Sequence, residues 1–168
     1  MTGSRGTGSE AADQGAAPRR SSTVIQADGR AKAFRPLPRS DRDAAVTAGL
    51  EAYGRGDFFL AHELMEPAWM GTDDQAERAL IQGLIKLAAA DVHGVRGNPR
   101  GVARNLDGAL ERLRLAVAAG VTTADGLDVV TLVAAIEDRL ARVRGTAASN
   151  PADATQPSDP IALPWSHA

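Results

Sequence analysis

The chain has no cysteine, few aromatic residues and no long apolar run. The absence of cysteine excludes disulfide bonds, thiolate metal sites and a cysteine nucleophile. No stretch approaches the roughly 18 consecutive apolar residues of a membrane span, and residues 1–18 lack the apolar core of a secretory signal. We therefore expect a cytoplasmic protein without a membrane partner.

Charge is nearly balanced overall but is distributed unevenly along the chain. The 168 residues include 19 basic and 21 acidic side chains. Residues 1–40 carry 7 basic and 3 acidic side chains, whereas residues 41–145 carry 12 and 16. Because neutralisation of phosphates dominates affinity for nucleic acids, the acidic central part argues against a nucleic-acid partner.

Both ends of the chain are rich in glycine, serine or proline and show no apolar periodicity. This composition predicts a disordered arm over residues 1–40 and a flexible tail over residues 146–168. Residues 161–165 are nevertheless apolar enough to dock on a neighbour. The folded domain is predicted to span residues 41–145.

The apolar residues of this domain recur with a helical period, and strand-like alternation is not evident. Five predicted helices with short connections give an all-α antiparallel bundle. Capping residues mark the helix starts, and glycines mark the ends. The predicted starts are Asp41, Asp57, Asp73 or Asp74, Asn98, and Thr123 or Asp125; the predicted ends are Gly54, Gly71, Gly97, Gly120 and Gly145.

The second predicted helix carries the strongest candidate site. At 100° per residue, His62, Glu66 and Trp69 fall within about 40° of one another on one face. A histidine and a carboxylate one turn apart can bind a divalent metal together or share a proton. The alternative is a hydrogen-bonded His–Glu pair that orders the core. Pro67 should kink or restart this helix beside the pair.

The third helix offers residues that could complete the site. Gln82 and His93 lie close together in angle, so His93 is a candidate third ligand and Gln82 a candidate contact to the ligands or the substrate. Two histidines and one carboxylate with an open position suit Zn, Mn or Fe(II). His93 could instead be an ordinary near-surface residue at a helix C-terminus, where its charged form is mildly favoured.

Several blocks of the chain resemble a known family. Residues 56–63, then Glu66 and Trp69, then residues 82–90, His93 and residues 96–101 are similar to a bacterial and archaeal family catalogued as domain-of-unknown-function family 309. Its HxxxExx motif followed by Trp or Tyr is matched by His62, Glu66 and Trp69. The resemblance covers roughly residues 42–115. It implies a small all-α bundle whose motif has been suggested to bind metal, and it brings no established substrate.

The sequence thus favours a divalent-metal-binding protein and leaves open whether it is an enzyme. If it is one, metal-assisted hydrolysis is the expected reaction, with Glu63 as the candidate catalytic base. The rival interpretation is a non-enzymatic interaction module in which the His–Glu–Trp cluster is structural. The expected partner is a small molecule or a protein, with a second copy of the chain among the candidates.

Overall fold

The computed structural model describes residues 23–25, 31–33, 35–149 and 159–165. In these ranges consecutive helices pack against one another and form the predicted all-α bundle. The helices are α1 (Arg39–Gly54), α2 (Phe58–Gly71), α3 (Gln75–Val95), α4 (Pro99–Ala118) and α5 (Val129–Ser149). None of the described helices is both long and apolar enough to cross a membrane.

Three of the predicted helix starts are confirmed by side-chain caps. Helices α2, α3 and α4 begin directly after Asp57, Asp74 and Asn98. Each side chain accepts a hydrogen bond from an otherwise unpaired backbone N–H of the first turn. The bonds run from Leu60 N to Asp57 (3.1 Å), from Glu77 N to Asp74 (2.8 Å) and from Gly101 N to Asn98 (2.9 Å).

The predicted cap of α1 is wrong. The helix begins at Arg39, and Pro38 occupies the capping position without a side-chain hydrogen bond. The carbonyl of Pro38 accepts from the backbone N–H groups of Asp41 and Arg42, each at 3.1 Å. Asp41 therefore lies inside the first turn, where a negative charge faces the positive end of the helix dipole.

The fifth helix starts later than predicted, because a hairpin precedes it. Strands β3 (Thr123–Ala124) and β4 (Leu127–Asp128) pair antiparallel. Asp125 and Gly126 have φ of 48° and 80°, which is the arrangement of a tight hairpin turn and explains the Asp-Gly pair. Asp128 then caps α5 by accepting from Thr131 N at 2.9 Å. The helix also continues past Gly145 to Ser149.

A second strand pair lies in the N-terminal region, within the segment predicted to be a disordered arm. Strand β1 (Thr23–Ile25) pairs antiparallel with strand β2 (Ala31–Ala33). Close to α1, the Leu37 backbone N–H donates to the Gly71 carbonyl at 3.1 Å. Residues 1–22, 26–30 and 34 of the predicted disordered arm are not among the described residues.

The described part of the tail lies on the bundle. Ile161 is buried in the core. The backbone N–H of Asp128 donates to the Pro164 carbonyl at 2.8 Å, and Trp165 forms a β-bridge with Leu127. Residues 161–165 dock on the bundle, as their apolar character suggested. The predicted flexibility of residues 150–158 and 166–168 falls outside the described residues.

Helices α3 and α4 pack so closely that only glycine fits between them at one point. A Cβ on Gly83 of α3 would lie 2.6 Å from Leu113 Cγ of α4. Leu106 and Leu113 are fully buried on the facing side of α4. This close approach fixes the positions of the α3 side chains relative to those of α4.

A buried polar cluster joins three helices at the centre of the bundle. The carboxylate of Asp91 on α3 accepts from the Tyr53 hydroxyl of α1 and from the Arg139 guanidinium of α5, both at 2.5 Å. The side chains of Asp91 and Arg139 are 2% and 1% exposed. Because both charges are removed from water, the attraction between them is needed to offset the hydration energy that each has lost.

Candidate functional site

Helix α2 presents the predicted motif on one side. His62, Glu66 and Trp69 are spaced by about one and two turns, and all three line one cavity. The cap at Asp57 sets the start of the helix and therefore the direction of this face. Helix α2 continues through Pro67 to Gly71, so the predicted restart at Pro67 does not occur.

The cavity lies between α2, α3 and α4 and has a volume of about 200 Å³. Its lining residues are His62, Glu66 and Trp69 from α2, Gln82, Ile85, Lys86 and Ala89 from α3, and Asn105 from α4. Gln82 thus lies in the wall of the same cavity as the α2 motif. We refer to this cavity as the α2–α4 pocket.

Three potential metal ligands lie together on α2, and two of them, His62 and Glu66, line the α2–α4 pocket. His62, Glu63 and Glu66 each offer one ligand atom, and these atoms lie within 4.8 Å of one another. The Nδ1 of His62 is 3.1 Å from Glu63 Oε1. The side chains of His62 and Glu63 are 31% and 51% exposed, so a solvated ion can reach them.

Trp69 forms a rigid wall beside these groups. Its side chain is buried, and the Arg78 guanidinium lies 5.0 Å from the centre of its ring. Arg78 is itself held by a hydrogen bond from Nη1 to the Thr72 carbonyl at 2.9 Å. Burial lowers the pKa of Arg78 from its ordinary value, and the cation–π contact keeps the ring in place.

His93 is not brought to this group. Its ring packs on Gly101 of α4, where a Cβ would lie 2.5 Å away, and its Nδ1 is 3.1 Å from Asn98 Nδ2. Because the Asn98 oxygen accepts from Gly101 N, its amide nitrogen is the donor to His93. His93 Nδ1 therefore accepts a hydrogen bond from Asn98, in the turn between α3 and α4.

Sequence reasoning missed two residues of the α2–α4 pocket. Lys86 lies one turn after Gln82 on α3, so the helical period could have identified it. Asn105 is on α4, and its side chain donates to the Gly101 carbonyl at 2.9 Å. Its place in the pocket depends on how α4 is rotated against α3, which periodicity does not specify.

Comparison with known families agrees with the resemblance noted from the sequence. Residues 46–105 match the model of a family described as a domain of unknown function (DUF309). We refer to residues 46–105, which are similar to this family, as the DUF309 segment. All residues that line the α2–α4 pocket fall within the DUF309 segment. No curated protein and no solved structure matches the chain.

Proposed function

We propose that the DUF309 segment binds a divalent metal ion at the rim of the α2–α4 pocket, through His62, Glu63 and Glu66. The observation that supports the proposal most directly is the convergence of their ligand atoms to within 4.8 Å. Ligands about 2.0–2.2 Å from a zinc ion lie roughly 3–3.6 Å apart in a tetrahedral site. Small rotations of these side chains, of which Glu63 is exposed and the other two are partly exposed, would close the remaining gap.

The charges of the group also favour a cation. Two carboxylates and one imidazole lie together, and the imidazole nitrogen next to Glu63 either donates to that carboxylate or, on losing its proton, becomes a ligand. Metal binding replaces the shared proton, and two negative charges balance a doubly charged ion. In this arrangement Glu63 acts as a ligand and is not a free catalytic base.

An ion held by three protein ligands keeps positions for water or substrate. The adjoining pocket supplies room for that ligand, with Gln82 in its wall. The reaction class that such a site would support is metal-assisted hydrolysis, for which a bound ion would supply Lewis-acid activation. Zn, Mn and Fe(II) are the ions compatible with this mixed nitrogen and oxygen set.

The test is metal titration of the full chain, purified without a histidine tag and freed of metal. Calorimetry and thermal melting are measured with Zn, Mn and Fe(II) for wild type, Glu66→Gln and the control Glu111→Gln. Glu111 is an exposed carboxylate of α4, 65% accessible, next to Arg112. The control removes the same charge away from the pocket.

We expect at least one ion to raise the melting temperature of wild type and of the control, because a ligand bound only to the native state stabilises it. Glu66→Gln should weaken binding by about tenfold or more. Equal and negligible responses in all three proteins would refute the metal site. The His62–Glu63 contact would then be a structural pair in a non-enzymatic module.

A further inference from the structure

Lys86 is the cationic side chain of the α2–α4 pocket. It lines the pocket beside Gln82 and Asn105 and is half-buried. Among the residues that the structure describes, its ammonium group makes no ion pair with a carboxylate. A partly buried ammonium group that faces a cavity without a protein counterion is suited to an anionic ligand.

The packing of α4 makes room for this side chain. A Cβ on Gly108 would lie 2.9 Å from Lys86 Cδ and 3.1 Å from Nζ. Gly108 follows Asn105 by one turn, so both are on the face of α4 that lies along the pocket. The Lys86 side chain therefore runs across the backbone of α4 at a position where any larger residue would displace it.

Charge counting indicates what the occupied pocket would attract. His62 is neutral as a ligand, Glu63 and Glu66 contribute two negative charges, and a divalent ion contributes two positive charges. The ammonium of Lys86 then leaves a formal net charge of about +1 beside the ion. Without the ion the same groups sum to about −1, so attraction of an anion should depend on the metal.

The volume of the pocket restricts the ligand to a small one. About 200 Å³ is below the roughly 300–1,000 Å³ of pockets that hold drug-sized ligands. A phosphate or carboxylate group of a small molecule fits this volume. Gln82, one turn before Lys86, adds an amide that can hydrogen-bond such a group.

We propose that Lys86, with Gln82 beside it, forms an oxyanion subsite, so that the substrate is a small molecule whose phosphate or carboxylate group bridges the metal ion and the Lys86 ammonium. The inference rests on the proposed function, since it assigns a substrate class to the same pocket. It makes Lys86 a specificity-determining residue and not a metal ligand.

The experiment uses the full chain loaded with whichever of Zn, Mn and Fe(II) binds it most tightly. Calorimetry measures first the metal and then the binding of inorganic phosphate or acetate, in wild type, Lys86→Met and Arg104→Met. Arg104 is an exposed residue of α4 adjacent to Asn105, so its loss removes the same charge outside the pocket. Comparing inorganic phosphate with acetate shows whether the subsite prefers a phosphate or a carboxylate group.

We expect Lys86→Met to bind metal as tightly as wild type or more tightly, because a repelling charge is lost. It should bind the preferred anion about 10- to 100-fold more weakly, whereas Arg104→Met should resemble wild type. Metal binding with equal anion affinity in wild type and Lys86→Met, or with no anion binding, overturns the subsite and leaves the metal site standing. Absence of metal binding overturns both.

Gly108→Ala provides a second variant that does not depend on removing the charge. Alanine is favoured over glycine in a helix interior, and the atoms that must move belong to the flexible end of Lys86. The fold should therefore be retained, with the ammonium displaced and anion affinity reduced. A variant that folds, binds metal and keeps wild-type anion affinity would contradict the position assigned to Lys86.

Discussion

Two groups of ionisable side chains in this protein have opposite surroundings. In the central cluster, both oxygens of Asp91 accept hydrogen bonds, one from Tyr53 and one from Arg139, and the ion pair is sealed from water. In the α2–α4 pocket, His62 and Glu63 are partly exposed beside a cavity of about 200 Å³. Both groups contain acidic side chains, but only the second can be reached by a ligand.

The difference separates a structural role from a binding role. The Asp91–Arg139 pair is neutral as a unit and joins α3 to α5, so its removal should affect folding. The pocket holds Lys86 beside a partly exposed histidine–carboxylate group, so its alteration should affect ligands more than folding.

The largest expected effect is the loss of Asp91. Asp91→Ala leaves the Arg139 charge buried and removes the acceptor of Tyr53, which should reduce the free energy of unfolding by about 3–5 kcal/mol. The matched control is Glu137→Ala, which breaks an exposed ion pair with Arg114 and should cost less than about 1 kcal/mol. Denaturant unfolding measures both. Similar losses in the two variants would contradict the contrast between the two groups.

The next effect is a loss of stability at alkaline pH. Burial, reinforced by the charge of Asp91, raises the pKa of Tyr53 well above its ordinary value of 10.0. The folded protein therefore keeps the phenol proton after the unfolded chain has lost it. The resulting stability is complete below about pH 10 and declines as the pH rises further, by up to about 1.4 kcal/mol per pH unit.

Tyr53→Phe should make this alkaline decline shallower, because phenylalanine has no proton to lose. Unfolding free energies measured from pH 8 to 11 test this expectation, with wild type as the reference. Tyr53 is the only tyrosine of the chain, so the ultraviolet signal of tyrosinate also reports this group alone. Titration near pH 10 in the folded protein would show that the cluster is open to water.

The smallest expected effect on stability is that of removing Asn98, the residue that holds the His93 ring. Asn98→Ala removes the cap of α4 and the donor to the His93 ring, and it should reduce the free energy of unfolding by about 1 kcal/mol. Metal affinity should be unchanged, since His93 lies outside the α2–α4 pocket. Thermal melting and calorimetry together distinguish the outcomes. Weakened metal binding would return His93 to the ligand set.

Features encoded by neighbouring residues could be predicted from the sequence. The starts of α2, α3 and α4 follow from Asp57, Asp74 and Asn98, because caps act within one turn. The hairpin before α5 was missed although Asp125 and Gly126 carry a short-range turn signal. Its strands have two residues each, too few for any alternation to be visible.

Features that depend on contacts between distant helices could not be predicted in this way. Helical spacing grouped His62 with Glu66, but it also placed His93 with Gln82, although the His93 ring is engaged by Asn98 at the end of α3. Asp91 and Arg139 are 48 residues apart, and no local pattern indicates that they pair. The orientation of each helix about its axis, fixed by close packing, decides these contacts.

The proposed divalent-ion site at His62, Glu63 and Glu66 is tested most directly by anomalous X-ray diffraction from crystals of the full chain grown with zinc. We expect an anomalous peak about 2.0–2.2 Å from a His62 ring nitrogen and from carboxylate oxygens of Glu63 and Glu66. A zinc peak elsewhere, or none at this group with the His62–Glu63 hydrogen bond intact, would contradict it.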